Sequence, residues 1–184
     1  MKAYIFLADG FETVEALAVV DVLKRSGVEA MTVSINEIKN VISAQKIEVI
    51  ADKVIADLAD GDMENADLLF LPGGMPGTLN LEKNERVKEL IKKQFEDGRL
   101  VGAICAAPSI LGHLGILKGK KATCFPGFEK DLEGALHTGE GVEIDGNVVT
   151  GKGMGTAVET GLALVEVLCG AEKSSQIRES IQHM

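Results

Sequence analysis

Residues 100–108 read Leu-Val-Gly-Ala-Ile-Cys-Ala-Ala-Pro, an apolar run that ends at a cysteine and leads into a proline. Leu100–Ile104 has the length and composition of a buried strand. Small residues follow Cys105, and proline is tolerated in the first turn of a helix, where Pro108 would stand. Ligands of open α/β sheets bind beyond the carboxyl ends of the strands, so this pattern predicts Cys105 at the edge where chemistry occurs.

Short apolar strands alternate with helices along the rest of the chain. This order predicts an α/β fold with one mostly parallel sheet and helices on both faces, and a single domain over residues 1–184. The predicted strands are Lys2–Leu7, Val28–Ile35, Asp67–Leu71, Leu100–Ile104 and Lys121–Phe125, with a hairpin arm at Val41–Ile50 and a hairpin of Val142–Ile144 and Asn147–Thr150 around Asp145-Gly146. The predicted helices are Thr13–Arg25, Asn84–Asp97, Ala106–Leu114 and Thr156–Leu168.

The composition of the chain limits the kinds of partner that it can bind. The chain has 184 residues, of which 46% are hydrophobic, and a formal net charge of -9. An acidic protein is a poor ligand for nucleic-acid phosphates or anionic membranes, and no apolar run is long enough to span a membrane. The three cysteines lack zinc spacing, so we expect a cytoplasmic protein with neither a metal nor a cofactor.

Cys105 is the candidate nucleophile. The start of a helix favours a negative charge, so the predicted position would stabilise the thiolate. The alternative is a buried and inert cysteine, a common structural role. Cys169 ends an apolar helix and is predicted to lie in the core, whereas Cys124 is expected to have a structural or supporting role.

Glu15 is the candidate partner of this cysteine. It follows the first strand and precedes an almost entirely apolar helix segment, so burial and a nearby thiolate would raise its pKa. A protonated Glu15 would donate a hydrogen bond to the sulfur or act in proton transfer. The alternative is that Glu12 and Glu15 only complement the helix dipole. Gly73 and Gly74, after another strand, form either a plain turn or a source of backbone N–H groups for an oxyanion.

Two further patterns carry weaker predictions. Thr150–Thr156 contains three glycines but comes too late for a dinucleotide site, so it is predicted to be a close-packed turn. His113 and His137 are assigned no catalytic role.

Ala16–Leu23 is apolar except for Asp21, which predicts a helix with a second buried face. A homodimer contact or a loop of the same chain would cover that face.

Taken together, these motifs resemble the ThiJ/PfpI superfamily, close to its parkinsonism-associated deglycase branch. The resemblance rests on the four segments Glu12–Glu15, Leu71–Gly74, Ala103–Pro108 and Thr150–Thr156. It implies a flavodoxin-like three-layer sandwich, similar to class I glutamine amidotransferases, and a homodimer. It also implies that Cys105 is the nucleophile or oxidation-sensitive residue and Glu15 its carboxylic partner, with N–H groups of Gly74 and Ala106 around the oxyanion.

The chain departs from the pattern of this branch at one position. The branch has a histidine near the cysteine, just before a proline, whereas Phe125 precedes Pro126 here. Acid-base work would then fall to Glu15 and water. Peptidases of the superfamily have a histidine directly after the nucleophile, where this chain has Ala106, so peptidase activity is disfavoured. The late His-x-Glu pair of amidotransferases is absent from the sequence.

The resemblance and the residues leave two functions open. In the first, Cys105 attacks a small reactive aldehyde to give a hemithioacetal, and Glu15 moves a proton before water releases a hydroxy acid. This would be a cofactor-independent glyoxalase or deglycase. In the second, the protein is a non-enzymatic sensor or chaperone of oxidative stress, and an oxidant converts Cys105 to a sulfinate stabilised by Glu15.

Overall fold

The computed structural model describes residues 1–59, 61 and 65–183. Its main sheet has seven strands in the order β10-β11-β7-β6-β1-β2-β5. All neighbouring strands are parallel except the edge pair β10 and β11. The strands are β1 Lys2–Leu7, β2 Glu29–Ser34, β3 Asn40–Ile42, β4 Glu48–Ile50, β5 Lys53–Val54, β6 Leu68–Leu71, β7 Leu100–Ile104, β8 Lys121–Ala122, β9 Leu136–His137, β10 Val142–Asp145 and β11 Val148–Gly151.

Helices cover both faces of this sheet. They are α1 Thr13–Arg25, α2 Gly77–Lys83, α3 Glu85–Glu96, α4 Pro108–His113, α5 Ala157–Cys169 and α6 Ala171–Ser180, with 3₁₀ turns at Ile55–Asp57, Glu129–Asp131 and Met154–Thr156. Side chains alternate along β1, so Ala3, Ile5 and Leu7 pack in one cluster with α1 and α5. Tyr4 and Phe6 pack on the other face with α2, α3 and α4. These three layers confirm the predicted α/β sandwich.

Several predicted elements have different bounds. The helix expected from Ala106 begins at Pro108, because the two residues after Cys105 form a turn. The strand expected at Lys121–Phe125 ends at Ala122, since the Phe125 N–H bonds to the carbonyl of Cys105 at 2.8 Å instead. The predicted hairpin arm is a separate two-stranded hairpin of β3 and β4, outside the main sheet.

Helices α2 and α6 were not predicted. Each is short, and α6 has few apolar residues to show a helical period. Their formation depends on packing against the rest of the chain, as Leu81 in α2 and Ile177 in α6 illustrate by being buried.

Helix α1 packs on two neighbours of its own chain. One face lies on the sheet, and another meets α5 so closely that a Cβ at Gly161 would lie 3.0 Å from Val22. The second buried face of α1 is therefore covered by a helix of the same chain, rather than by the second copy or the loop expected from the sequence. Val14 and Leu17 remain exposed, by 45% and 37%.

Within the described ranges, no helix combines the length and apolar character that crossing a membrane requires.

Candidate functional site

Four neighbouring strands end at one place. β11, β7, β6 and β1 are adjacent and parallel, so the loops that follow them meet at the same edge of the sheet. This edge brings together the predicted residues Glu15, Gly73, Gly74, Cys105 and Ala106, although they lie up to about 90 positions apart in sequence.

Cys105 lies at a sharp turn between β7 and α4. Its φ is +66°, a left-handed conformation that few residues other than glycine adopt. The turn is held by the N–H of Cys105, which donates to the carbonyl of Gly151 at 2.9 Å, and by the Ala107 N–H, which donates to Ile104 at 3.1 Å. Such strain persists where surrounding bonds enforce it, and it is frequent at functional sites.

The glycine pair after β6 leaves room for both side chains. The Gly73 N–H donates to Oε2 of Glu15 at 3.0 Å. A Cβ on Gly73 would lie 2.5 Å from the Cβ of Cys105 and 2.7 Å from that same carboxyl oxygen. Gly74 has a φ of +93°, which turns its N–H towards the sulfur of Cys105. The adjacent glycines therefore serve different partners.

Glu15 is almost fully buried in the first turn of α1. Its backbone N–H is capped by the Glu12 carboxylate at 2.7 Å, and its own carboxyl group contacts the thiol of Cys105. Burial raises the pKa of Glu15 to about 7, and the charge of Glu12 adds to this rise. The hydrogen bond from Cys105 and the N–H groups of Gly73 and Met154 partly oppose it.

The pKa of the Cys105 thiol is raised to about 12, contrary to the stabilised thiolate expected from the sequence. Burial is the main cause, followed by the charge of Glu15 and the hydrogen bond to it. The N–H groups of Gly74 and Ala106 favour the thiolate but do not outweigh these effects. Helix α4 has only six residues and begins three positions after the cysteine, so its dipole contributes little. Cys105 and Glu15 thus behave as a pair that shares a proton.

An open cleft of about 380 Å³ lies beside this pair. The side chains of Phe125 and Met154 in its lining are about half exposed. The lining residues are Phe125, Pro126, Lys152, Gly153, Met154, Gly155 and Thr156. The sequence reasoning missed Met154, whose N–H donates to Glu15, and predicted only a packing turn there. The available signal was a glycine-rich loop after a strand that pairs with β7.

The remaining cysteines and histidines lie outside this arrangement. Cys124 is buried in the core on the α2–α4 face of the sheet, and burial raises its pKa to about 11. Cys169 is half-buried at the end of α5, against the other core cluster. His113 bonds through Nδ1 to Glu82, and His137 is exposed.

Among the residues that the structure describes, no group of three or more His, Cys, Asp and Glu side chains is arranged to hold a metal ion. A second cavity, of about 610 Å³, lies at the opposite edge of the sheet, beside Asp67, Leu100 and Asn147. Those residues precede or begin β6, β7 and β11, away from the carboxyl ends where ligands of such sheets bind.

Known proteins are similar to this chain in both sequence and fold. It is 40% identical over 178 residues to Protein DJ-1 homolog B of Arabidopsis thaliana, covering 96% of this chain but 40% of that protein. The chain thus spans less than half the length of this plant relative. It is 33% identical to "Glutathione-independent glyoxalase DJR-1.2" of Caenorhabditis elegans, covering 90% of this chain and 87% of the relative.

A solved structure described as "Toxoplasma gondii DJ-1, oxidized" superposes with a TM-score of 0.91 and 29% identity. The match covers 98% of this chain and 97% of the Toxoplasma chain. The pattern of the DJ-1/PfpI family itself matches residues 1–167, a span that includes all the residues of the site. The chain therefore belongs to the DJ-1/PfpI family.

Proposed function

We propose that this protein converts small 2-oxoaldehydes, such as methylglyoxal, into 2-hydroxy acids. Cys105 is the nucleophile and Glu15 its acid-base partner in this proposal. The observation that carries it is the buried Glu15 carboxyl group in contact with the thiol, with a pKa of about 7. A group with this pKa is populated in both protonation states near neutral pH, as general acid-base catalysis requires. The Caenorhabditis relative named as a glyoxalase supports the same reaction class.

The first step joins sulfur to the aldehyde carbon. The Glu15 carboxylate takes the thiol proton as the C–S bond forms, so no free thiolate is needed despite the raised pKa of Cys105. The electron pair of the carbonyl moves to oxygen, and Glu15 returns the proton there to give a hemithioacetal. The N–H groups of Gly74 and Ala106, which face the sulfur, stabilise the negative charge during this transfer.

The second step is an internal redox exchange between two carbons. Glu15 removes the hydrogen of the carbon bonded to sulfur, and the resulting enediol takes a proton at the neighbouring carbon. The first carbon is oxidised to a thioester while the second is reduced to a carbinol. Water then attacks the thioester, the C–S bond breaks, and the sulfur regains its proton as the hydroxy acid leaves.

The test is the formation of lactate from methylglyoxal by the wild type, Cys105→Ala and Glu15→Gln. We expect turnover in the wild type and its loss in both variants. Cys169→Ala is the matched control, because Cys169 lies outside the site and should retain turnover. Equal turnover in the wild type and Cys105→Ala, or none in the wild type, would contradict the proposal. The wild-type assay also tests whether Phe125 permits the reaction.

A second function, oxidation sensing, is favoured by the same polar surroundings of the sulfur. Two backbone N–H groups and a protonated Glu15 would each donate a hydrogen bond to an oxidised Cys105. Each S–O bond would form at the expense of one peroxide molecule, which is reduced to water. All three cysteines are free thiols, which suits a reducing compartment such as the cytoplasm.

Peroxide titration with intact-mass analysis tests the sensor function. A dominant gain of two oxygens at low oxidant, absent from Cys105→Ala, would support it. Prior oxidation of Cys124 or Cys169 would contradict it.

The exposed apolar surface favours a second copy of this chain as a partner, in a homodimer. Val14 and Leu17 on α1 are exposed apolar residues, and so are Ile42 and Ile50 on the β3–β4 hairpin. The hairpin is tied to the start of α1, where Thr13 Oγ1 donates to Gln45 Oε1 at 2.7 Å. Adjacent exposed apolar residues are typical of a surface that a second copy covers.

A further inference from the structure

We infer that the cleft lined by Phe125, Pro126, Gly153, Met154 and Thr156 is a subsite that selects 2-oxoaldehydes with a bulky apolar group, such as an aryl group. The inference rests on the proposed function, because it assigns a substrate class to the Cys105–Glu15 pair. We call this cleft, which Lys152 and Gly155 also line, the apolar cleft.

The residues of the apolar cleft contact both reacting residues. The Phe125 N–H donates to the carbonyl of Cys105 at 2.8 Å, and the Met154 N–H donates to Glu15. Gly153 lies between them: a Cβ there would be 3.2 Å from Cδ2 of Phe125 and 3.9 Å from Oε1 of Glu15. A substrate whose aldehyde carbon reaches Cys105 can therefore extend its substituent into the apolar cleft.

The size of the apolar cleft exceeds that of the smallest oxoaldehydes. Its volume of about 380 Å³ falls in the range of roughly 300–1,000 Å³ found for sites of drug-sized ligands. Glyoxal or methylglyoxal would leave most of this space to water. An aryl group would occupy more of it than a methyl group and would cover apolar side-chain surface, which favours the larger substrate.

The side chains that line the cleft also favour an aryl substituent. Phe125 and Met154 expose 48% and 55% of their surface, and both line the same cleft. Aromatic rings pair favourably with one another, and the thioether of methionine contacts ring edges favourably. Lys152 also lines the cleft, but its ammonium is bound by the carbonyl of Gly139 at 2.8 Å, in a loop that precedes β10.

Binding can be measured without turnover. The methionine methyl groups of the Cys105→Ala variant would be isotopically labelled and observed by NMR. The Met154 signal would be assigned by its loss in Met154→Leu. We expect mandelate, the product from phenylglyoxal, to shift the Met154 signal at concentrations roughly tenfold below those of lactate. Phe125→Ala should weaken mandelate binding by a similar factor. Leu136→Ala, at an exposed apolar residue outside the apolar cleft, should leave it unchanged.

Turnover then tests the substrate class. The wild type should have a higher kcat/KM for phenylglyoxal than for methylglyoxal, and Phe125→Ala should lower that ratio roughly tenfold. Mandelate that leaves the Met154 signal unmoved, or that acts no more strongly than lactate, would overturn the subsite even if methylglyoxal is converted. Mandelate bound at Met154 with neither aldehyde converted would uphold the subsite and overturn the proposed function.

Discussion

Cys105 and Glu15 control each other's protonation. The Glu15 carboxylate opposes ionisation of the thiol, whereas the N–H groups of Gly74 and Ala106 favour it. A cysteine in this setting is not activated in advance, unlike one beside a cation or at the start of a long helix. Its reactivity depends on whether Glu15 can take the proton at the moment of attack, so the two residues act as one unit.

Glu15→Gln should separate thiol ionisation from catalysis. Replacing the carboxylate with an amide removes its negative charge, so the pKa of Cys105 should fall while the two N–H donors remain. We expect alkylation of Cys105 by iodoacetamide at pH 8 to become at least roughly tenfold faster, since a tenfold change corresponds to one pKa unit. Methylglyoxal turnover should fall by about 100-fold or more. Mass mapping of the alkylated peptide gives the rate, and a slower rate in the variant would contradict the mutual control.

The pH profile of turnover should follow Glu15. If its carboxylate is the base, kcat/KM rises with pH through about 7, the pKa of this buried group. Glu12 contributes to that raised pKa, so Glu12→Gln should move the rising limb to lower pH. Initial rates between pH 5 and 9 measure both effects. A flat profile in the wild type would exclude Glu15 as the titrating base, and an unmoved limb in Glu12→Gln would contradict the contribution of Glu12 to its pKa.

The segments that follow neighbouring strands, rather than any single element, form the site. Glu15 comes from α1, Gly73 and Gly74 from the β6 loop, Cys105 from the β7 turn, and Met154 from the β11 loop. Their side chains and N–H groups meet because these strands are adjacent and parallel. The spacing between the loops is therefore fixed by the sheet.

Gly73→Ala tests how tightly the loops meet. The added methyl group would lie 2.5 Å from the Cβ of Cys105 and 2.7 Å from Oε2 of Glu15, so the two side chains must move apart. Displacements of this order cost about 100-fold in rate when they misalign reacting groups. We expect methylglyoxal turnover to fall by that order, with the circular dichroism spectrum retained. Gly141→Ala, whose added methyl meets only the end of the Thr156 side chain, is the control that should keep its activity.

The elements that the sequence predicted correctly are those with strong local patterns. The apolar runs of β1, β6 and β7 and the period of α3 specified the layers, and strand ends predicted where Cys105 and Glu15 would lie. Short elements such as α2 escaped prediction, because they form through contacts with distant residues.

The parts of the site that could not be predicted all depend on contacts between distant segments. The left-handed turn at Cys105, the Met154 N–H on Glu15 and the raised thiol pKa each require residues from separate loops at known distances. The expected helix dipole was a local argument, and burial beside a carboxylate outweighed it.

Burial of Glu15 should also make the stability of the whole molecule depend on pH. Its pKa is about 7 in the folded protein and 4.5 ordinarily, so between these values the folded state holds the proton more firmly than the unfolded state. Stability is therefore lost as pH rises across that window, by up to about 3 kcal/mol for this shift. Urea unfolding at pH 4.5 and pH 7.5 should show a larger decrease for the wild type than for Glu15→Gln. Equal decreases would contradict the raised pKa.

We expect the surface formed by α1 and the β3–β4 hairpin to be the contact between two copies of the chain. Leu17 is an exposed apolar residue in the middle of α1, so Leu17→Asp would place a charge inside a contact between two copies. We expect the wild type to sediment with twice the chain mass of 19.5 kDa, and Leu17→Asp to sediment as the single chain. Leu136→Asp introduces the same charge at a more exposed leucine elsewhere and should leave the dimer intact. A wild type that sediments as a single chain would contradict the dimer. Burial of the apolar side chains between two copies is the interaction that is expected to hold them together.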